Sequence, residues 1–187
     1  ALPILDLLKL SGFSRESLTA NNAAIPIAYY LHQRDVSDAF LDSTSKAGER
    51  ADIIRWLTRT LLKQGVWGSG PDTLLTRLRA AIDRELPNEG FPTAALDAEF
   101  AGLGKTLNFD DAEIDGLLEL SYGARGTFAT LAILYPGLDF AKEFHEDHIW
   151  PKSLFTRRRL EDAGVSTDQV EAYISRVNAL PNLQLLE

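Results

Sequence analysis

The sequence predicts a mainly α-helical protein with a small C-terminal part in which the pattern of apolar residues is different. Apolar side chains recur every three to four residues over most of the chain, the spacing that lines one face of an amphipathic helix. Proline and glycine residues separate these periodic segments and supply the helix ends. After Pro136 and Gly137 the pattern changes, and two short segments there have the length and composition of strands.

Seven helices are predicted before that break. The clearest covers residues 48–64, in which Ile53, Trp56 and Leu57 share one apolar face and Gly65 supplies the stop. The remaining predicted helices cover residues 4–10, 24–32, 71–85, 93–103, 110–120 and 125–134.

The C-terminal part contains two candidate strands with a helix between them. His145 to Trp150 is the first candidate strand. Residues 168–177 carry an apolar helical face. Leu183 to Leu186 is a short apolar run that could pair with the first strand.

The change in sequence pattern after Pro136 and Gly137 also marks the one plausible domain boundary. It lies between Tyr135 and Phe140. We therefore predict a helical domain over residues 1–138 and a C-terminal element over residues 139–187, packed with the helices as one unit.

Composition excludes several function classes. The chain has no cysteine, which rules out disulfides, thiolate zinc sites and a cysteine nucleophile. No apolar run is long enough to cross a bilayer, and no secretory signal is visible at the N-terminus. The net charge of −8 argues against broad, non-specific binding to nucleic acid, but it leaves room for a local site.

Residues 145–153, HEDHIWPKS, bring together many of the residue types that catalytic sites use. Two of the three histidines lie there, and Asp147 is directly beside His148. Metal-assisted phosphodiester hydrolysis uses a neutral imidazole to take a proton from water and a carboxylate to hold a divalent cation. Neighbouring side chains of a strand point to opposite faces, so both serve one site only if the strand bends or ends there. Pro151 favours an end, and the alternative is a surface strand with solvated histidines.

The C-terminal motif resembles that of the HNH nucleases, also called ββα-metal nucleases. Residues 147–153 read Asp-His-Ile-x-Pro-Lys-Ser, and residues 178–187 read Asn-x-Leu-x-Asn-Leu-Gln-Leu-Leu-Glu. More narrowly, the chain looks like the C-terminal nuclease domain of GmrSD-type modification-dependent restriction proteins, a group that includes a phosphorothioate-sensing nickase of bacterial antiphage defence. Weaker matches to the helical part of those proteins extend the resemblance over most of the chain, at residues 27–31, 55–57, 68–73 and 128–136.

The resemblance implies a role for each matching residue. His148 would be the general base, and Asp147 would be a ligand of Mg²⁺ or Mn²⁺. Asn182 would brace the loop that bears the base. His145 would orient the site or touch substrate. Independently of the resemblance, tryptophans are more often core residues than base-stacking platforms, and Trp150 could pack beneath the site.

The resemblance also implies that basic residues after the motif hold DNA phosphates. These are Lys152 and the run Arg157, Arg158 and Arg159. The run could start a helix that ends at Gly164. Consecutive helical residues fan out by about 100°, so only one or two of the three are expected to face one phosphate track. A charge run of this kind is more often a solvated helix face.

The family pattern continues beyond what this sequence contains. After Leu-Leu-Glu it reaches a further asparagine, usually the second protein ligand of the metal, and this sequence stops at Glu187. We therefore expect a weak or inactive metal site, one ligand short, if the chain is complete as given, and an active one if the intact protein supplies that asparagine after Glu187. The nucleotide-hydrolysing, modification-sensing N-terminal domain of such proteins would be a partner that lies outside this chain.

Together these features predict a mainly α multi-helix domain with a C-terminal ββα-metal element. The expected function is metal-dependent nicking or cleavage of DNA as the effector of a bacterial, cytoplasmic antiphage restriction protein. The alternative is a non-catalytic helical interaction or nucleic-acid-binding module that couples a sensor domain to a partner.

Overall fold

The periodic apolar segments form helices in the computed structural model, which describes residues 3–10, 13, 18, 20–135 and 144–187. The described residues contain ten α-helices and one two-stranded sheet. The helices are α1 (Pro3–Leu10), α2 (Ala24–Gln33), α3 (Ala39–Asp42), α4 (Ala47–Leu62), α5 (Pro71–Glu85), α6 (Thr93–Ala101), α7 (Asp111–Leu118), α8 (Thr127–Leu134), α9 (Arg157–Asp162) and α10 (Thr167–Ser175). The strands are β1 (His145–His148) and β2 (Leu183–Leu186).

The prediction of a mainly helical chain with two C-terminal strands is confirmed. All seven predicted N-terminal helices are present, and α5 has the predicted bounds. Only the short α3 lacked a periodic signal, because four residues make a single turn. A helix starts at Arg157 as predicted, and Gly164, two residues past its end, adopts a left-handed φ of 90°.

The chain divides into two compact units. The first comprises the described residues up to Phe109, and the second comprises those from Asp110 onward. The second unit therefore holds α7 and α8 together with both strands, α9 and α10. The boundary predicted between residues 138 and 139 lies outside the described residues.

The first unit has an apolar core around a tryptophan. Trp56 is fully buried on α4, as its helical face predicts, and its ring meets those of Phe91, Phe100 and Trp67 at 5.6–6.4 Å between centroids. Leu74 and Leu78 on α5 are also fully buried. Packing of these large side chains fixes the helices of this unit.

The second unit begins with a well-capped helix. The Asp110 side chain accepts from the Glu113 amide, and the Glu113 side chain accepts from the Asp110 amide, which satisfies two otherwise unpaired helix donors. Asp110 and Glu113 therefore cap the start of α7. Leu131 on α8 and Leu183 on β2 are both 1% exposed and belong to the core of this unit.

Within the described residues, no helix combines the length and the apolar character needed to cross a membrane.

Candidate active site

The two strands place the predicted site residues on two different faces. β1 and β2 are antiparallel, with His148 opposite Leu183 and Asp147 opposite Gln184. Directly opposed residues share a face of the sheet, and Leu183 is buried. The inner face of β1 therefore carries His148 and Glu146, which are half-buried, and the outer face carries the exposed Asp147 and His145. Asp147 and His148 therefore point to opposite faces of β1, and the strand ends at His148.

Two side chains hold the imidazole of His148. Its Nε2 lies 2.9 Å from Oδ1 of Asn178, and the ring of Tyr122 stacks on it at 5.0 Å between centroids and 25° between planes. An amide oxygen can only accept a hydrogen bond, so the contact requires a proton on Nε2. In the neutral ring, Nδ1 is then the basic nitrogen.

The contacts of His148 come from two neighbouring turns that are joined through the backbone. Ser121 and Ala179 form an antiparallel bridge, and the Tyr122 amide donates to the Asn178 carbonyl at 2.8 Å. The Leu180 amide donates to the carbonyl of Leu120, also at 2.8 Å. These bonds place the stacking ring and the amide partner side by side.

Glu146 ties β1 to the same turns. Its carboxylate accepts from the amide of Gly123 at 2.8 Å, and Gly123 adopts a left-handed φ of 72° that favours glycine. Glu146 lies on the same strand face as His148. The hydrogen bond between Glu146 and Gly123 stabilises the turn that carries Tyr122.

Asn182 clamps the chain that follows His148. Its Oδ1 accepts from the Trp150 amide at 2.9 Å, and its Nδ2 donates to the carbonyls of Trp150 at 3.1 Å and Val177 at 2.8 Å. The carbonyl of Asn182 also accepts from the Ile149 amide at 2.8 Å. Asn182 is only 8% exposed, so its two donors and its acceptor are all used inside the protein.

The outer face of β1 carries the residue that was predicted to bind a divalent cation. Mg²⁺ is commonly held through one or two carboxylates plus water and substrate oxygens. Asp147 is exposed and fits such a single carboxylate ligand, with the imidazole of His145 on the same face. In the part of the chain that the structure describes, no three His, Asp or Glu residues group to hold a metal.

The basic residues after the motif differ in their partners. Arg157 pairs with Glu171 and, at 3.7 Å, with Glu161, so its charge is already offset. Arg158 approaches Asp162 at 3.8 Å with both side chains largely in solvent.

The Arg159 guanidinium takes a different partner from its two neighbours, donating to the carbonyl of Ser153 at 2.9 Å. Lys152 is exposed. Of the arginine run, Arg158 and Arg159 are therefore the members best placed to receive a phosphate.

The structure differs from the sequence-based expectation at Trp150 and brings three further residues to the site. Trp150 does not pack beneath the site, since 62% of its surface is exposed while its backbone is clamped by Asn182. Asn178, Tyr122 and Glu146 were not predicted as site residues. The first and last lie within the motif segments, and residue type gave a signal for them. Tyr122 lies 26 residues before His148, and only the chain fold brings it there.

Comparison of the sequence with models of known protein families and with curated proteins finds no match.

Proposed function

We propose that this protein is a metal-dependent DNA endonuclease or nickase in which His148 is the general base. The observation that carries this proposal is the way His148 is held. An imidazole at a strand end has one nitrogen bonded to Asn178, a stacked Tyr122 ring and a clamped loop behind it. Solvated surface histidines need none of these supports. A proton acceptor does, because small misplacements cost large factors in rate.

The chemistry assigned to His148 follows from its tautomer. With the proton on Nε2 bonded to Asn178, Nδ1 is free to accept a proton from a water molecule that attacks phosphorus. Asn178 and Tyr122 keep the ring from rotating during that transfer. The Asn182 clamp holds Ile149 and Trp150, which lead out of the strand.

From the resemblance to ββα-metal nucleases we also propose a bound cation, held on the outer face of β1. Asp147 is the proposed protein ligand, with His145 beside it on the outer face of β1. Bound Mg²⁺ or Mn²⁺ supplies positive charge that stabilises the phosphate and the departing oxygen. Lys152, Arg158 and Arg159 are the proposed phosphate contacts of the segment after the motif. In this proposal the protein acts in the bacterial cytoplasm as the effector of a restriction system, downstream of a separate modification-sensing domain.

A second candidate function is a nucleic-acid-binding or interaction module without catalysis. The net charge of −8 favours it, because a chain of that charge repels a polyanion outside local basic sites. The two functions differ in one measurable property. The module binds its partner but does not break a phosphodiester bond when a divalent cation is present.

Substitution of His148 by alanine tests the proposal. We expect His148→Ala to lower the nicking rate of supercoiled plasmid by about 10²- to 10⁴-fold, the usual contribution of a general base, in Mg²⁺ or Mn²⁺ buffer. The fold should persist, since the ring is half-buried and lies at the end of a strand. Circular dichroism measures the fold of each variant.

His32 provides the matched control. It is an exposed histidine on α2 of the first unit, and His32→Ala should nick at the rate of the unaltered protein. Retention of nicking by His148→Ala would remove His148 from the role of base. An unaltered protein that binds DNA but never nicks it would favour the module.

A further inference from the structure

Each of the two turns that hold His148 also carries an arginine. Tyr122 is followed after three residues by Arg125, in a pair of tight turns closed by the amides of Ala124 and Thr127. Asn178 is preceded by Arg176, whose carbonyl accepts from the Ala179 amide at 2.9 Å. The two arginines thus sit on adjacent turns joined by the bridge between Ser121 and Ala179.

Both arginines are exposed to solvent, where a phosphate can reach them. Neither Arg125 nor Arg176 forms an ion pair with any acid in the described part of the chain. Arg157, in contrast, is taken up by two glutamates. Exposed guanidiniums without a carboxylate partner bind phosphate without first giving up an existing pair.

We propose that Arg125 and Arg176 bind the DNA backbone phosphates that flank the one attacked beside His148. This inference rests on the proposed function, because it takes the bond broken near His148 to belong to a nucleic acid. The arginines lie on the segments that contact the imidazole itself, whereas the predicted run begins nine residues after it. In a chain of net charge −8, a phosphate path over these two turns is a local basic site.

A binding measurement without cleavage tests the inference. The full chain, with Arg125→Gln or Arg176→Gln, is titrated into a short fluorescent duplex DNA in EDTA, and anisotropy is followed between about 50 and 200 mM salt. Each substitution should weaken binding several-fold at the lower salt. Each should also reduce the slope of log affinity against log salt by roughly one, the value for one lost phosphate contact.

Arg55→Gln is the matched control for net charge. Arg55 is an exposed arginine of the first unit that pairs with Asp52 at 2.9 Å, and its substitution should leave the slope unchanged. An equal loss in Arg55→Gln would reduce the effect to overall charge and overturn the inference. Unchanged slopes in both site variants would overturn it too, and a loss confined to one variant would remove the other arginine from the path.

The result is independent of catalysis. If the unaltered protein binds the duplex through both arginines but does not nick plasmid with Mg²⁺ or Mn²⁺, the proposed nuclease function fails and the phosphate path stands. If it nicks plasmid while both substitutions leave affinity and slope unchanged, the path fails and the nuclease function stands.

Discussion

The surroundings of Trp56 in the first unit and of β1 in the second unit are held by different interactions. In the first unit the buried contacts are mostly between rings and aliphatic side chains, with Trp56 at the centre and Tyr30 meeting Phe91 at 5.1 Å. In the second unit, side-chain hydrogen bonds to the backbone determine the local geometry around β1. Asn182 alone makes three of them.

This difference matters for function. Apolar packing is tolerant of direction, so it fixes helices against one another without aiming any polar atom. Hydrogen bonds are directional, and they set the orientation of His148 and of the loop after it. The first unit is therefore expected to respond to mutation in stability alone, and the second in stability and activity together.

Of the substitutions that compare the two units, Asn182→Ala is expected to have the largest effect on stability. The substitution leaves the Trp150 amide and the carbonyls of Trp150 and Val177 without their partner, which we expect to cost about 2–3 kcal/mol. Urea unfolding measures the loss, and hydrogen exchange should accelerate at the Trp150 amide. Nicking should fall as well, because the loop behind His148 loses its clamp.

Gln184 offers the comparison for Asn182. It is half-buried on the adjoining strand, and Gln184→Ala should change the free energy of unfolding by less than about 0.5 kcal/mol. Equal effects from the two variants would mean that the clamp contributes nothing beyond an ordinary strand side chain.

An intermediate effect is expected for Tyr30→Phe in the first unit. The Tyr30 hydroxyl donates to the Glu49 carboxylate at 2.6 Å, and its loss should cost about 1.5 kcal/mol at neutral pH without altering nicking. Burial, and then the Glu49 carboxylate, raise the pKa of Tyr30 above its usual value. The folded state therefore favours the protonated phenol, and the unaltered protein loses this stability as pH rises above about 10.

The measurement is the difference in unfolding free energy between the unaltered protein and Tyr30→Phe. This difference should stay constant from neutral pH to about pH 10 and shrink above it, because the folded state favours the protonated phenol of Tyr30. Tyr29→Phe is the control, since the half-buried Tyr29 donates to Asp83 at 2.6 Å in a solvent-exposed hydrogen bond, whose loss should cost less. A difference that grows with pH would contradict the assigned environment of Tyr30.

The smallest expected effect is that of Asn178→Ala. Without this hydrogen bond, only the Tyr122 stack holds the His148 ring, and we expect the rate constant for nicking to fall about tenfold while affinity for DNA is unchanged. Asn178→Asp keeps the accepting oxygen and should recover part of the rate. A rate unchanged by both substitutions would show that the contact does not position the base.

Much of the fold was predictable because local pattern and local structure agree. The apolar faces around Trp56 and in α5 are set by spacing along the chain, and Pro71 and Gly65 mark ends by their own backbone preferences. The two C-terminal strands were also predictable, because one candidate segment lies in the motif at His145 to Trp150 and the other is the short apolar run from Leu183 to Leu186. The single turn of α3 was not, since it is too short to show a period.

The sequence by itself determined which segments are helical and that two short C-terminal segments form strands, and it singled out His148, Asp147 and Asn182 as candidate site residues. Only the tertiary structure decided that Tyr122 and Asn178 hold the imidazole, that Asp147 lies on the opposite strand face, and that Trp150 is exposed. The physical reason is range. Helix periodicity depends on neighbours a few residues apart, whereas ring stacking and strand register depend on segments about 25 to 40 residues apart, which nothing in local spacing specifies.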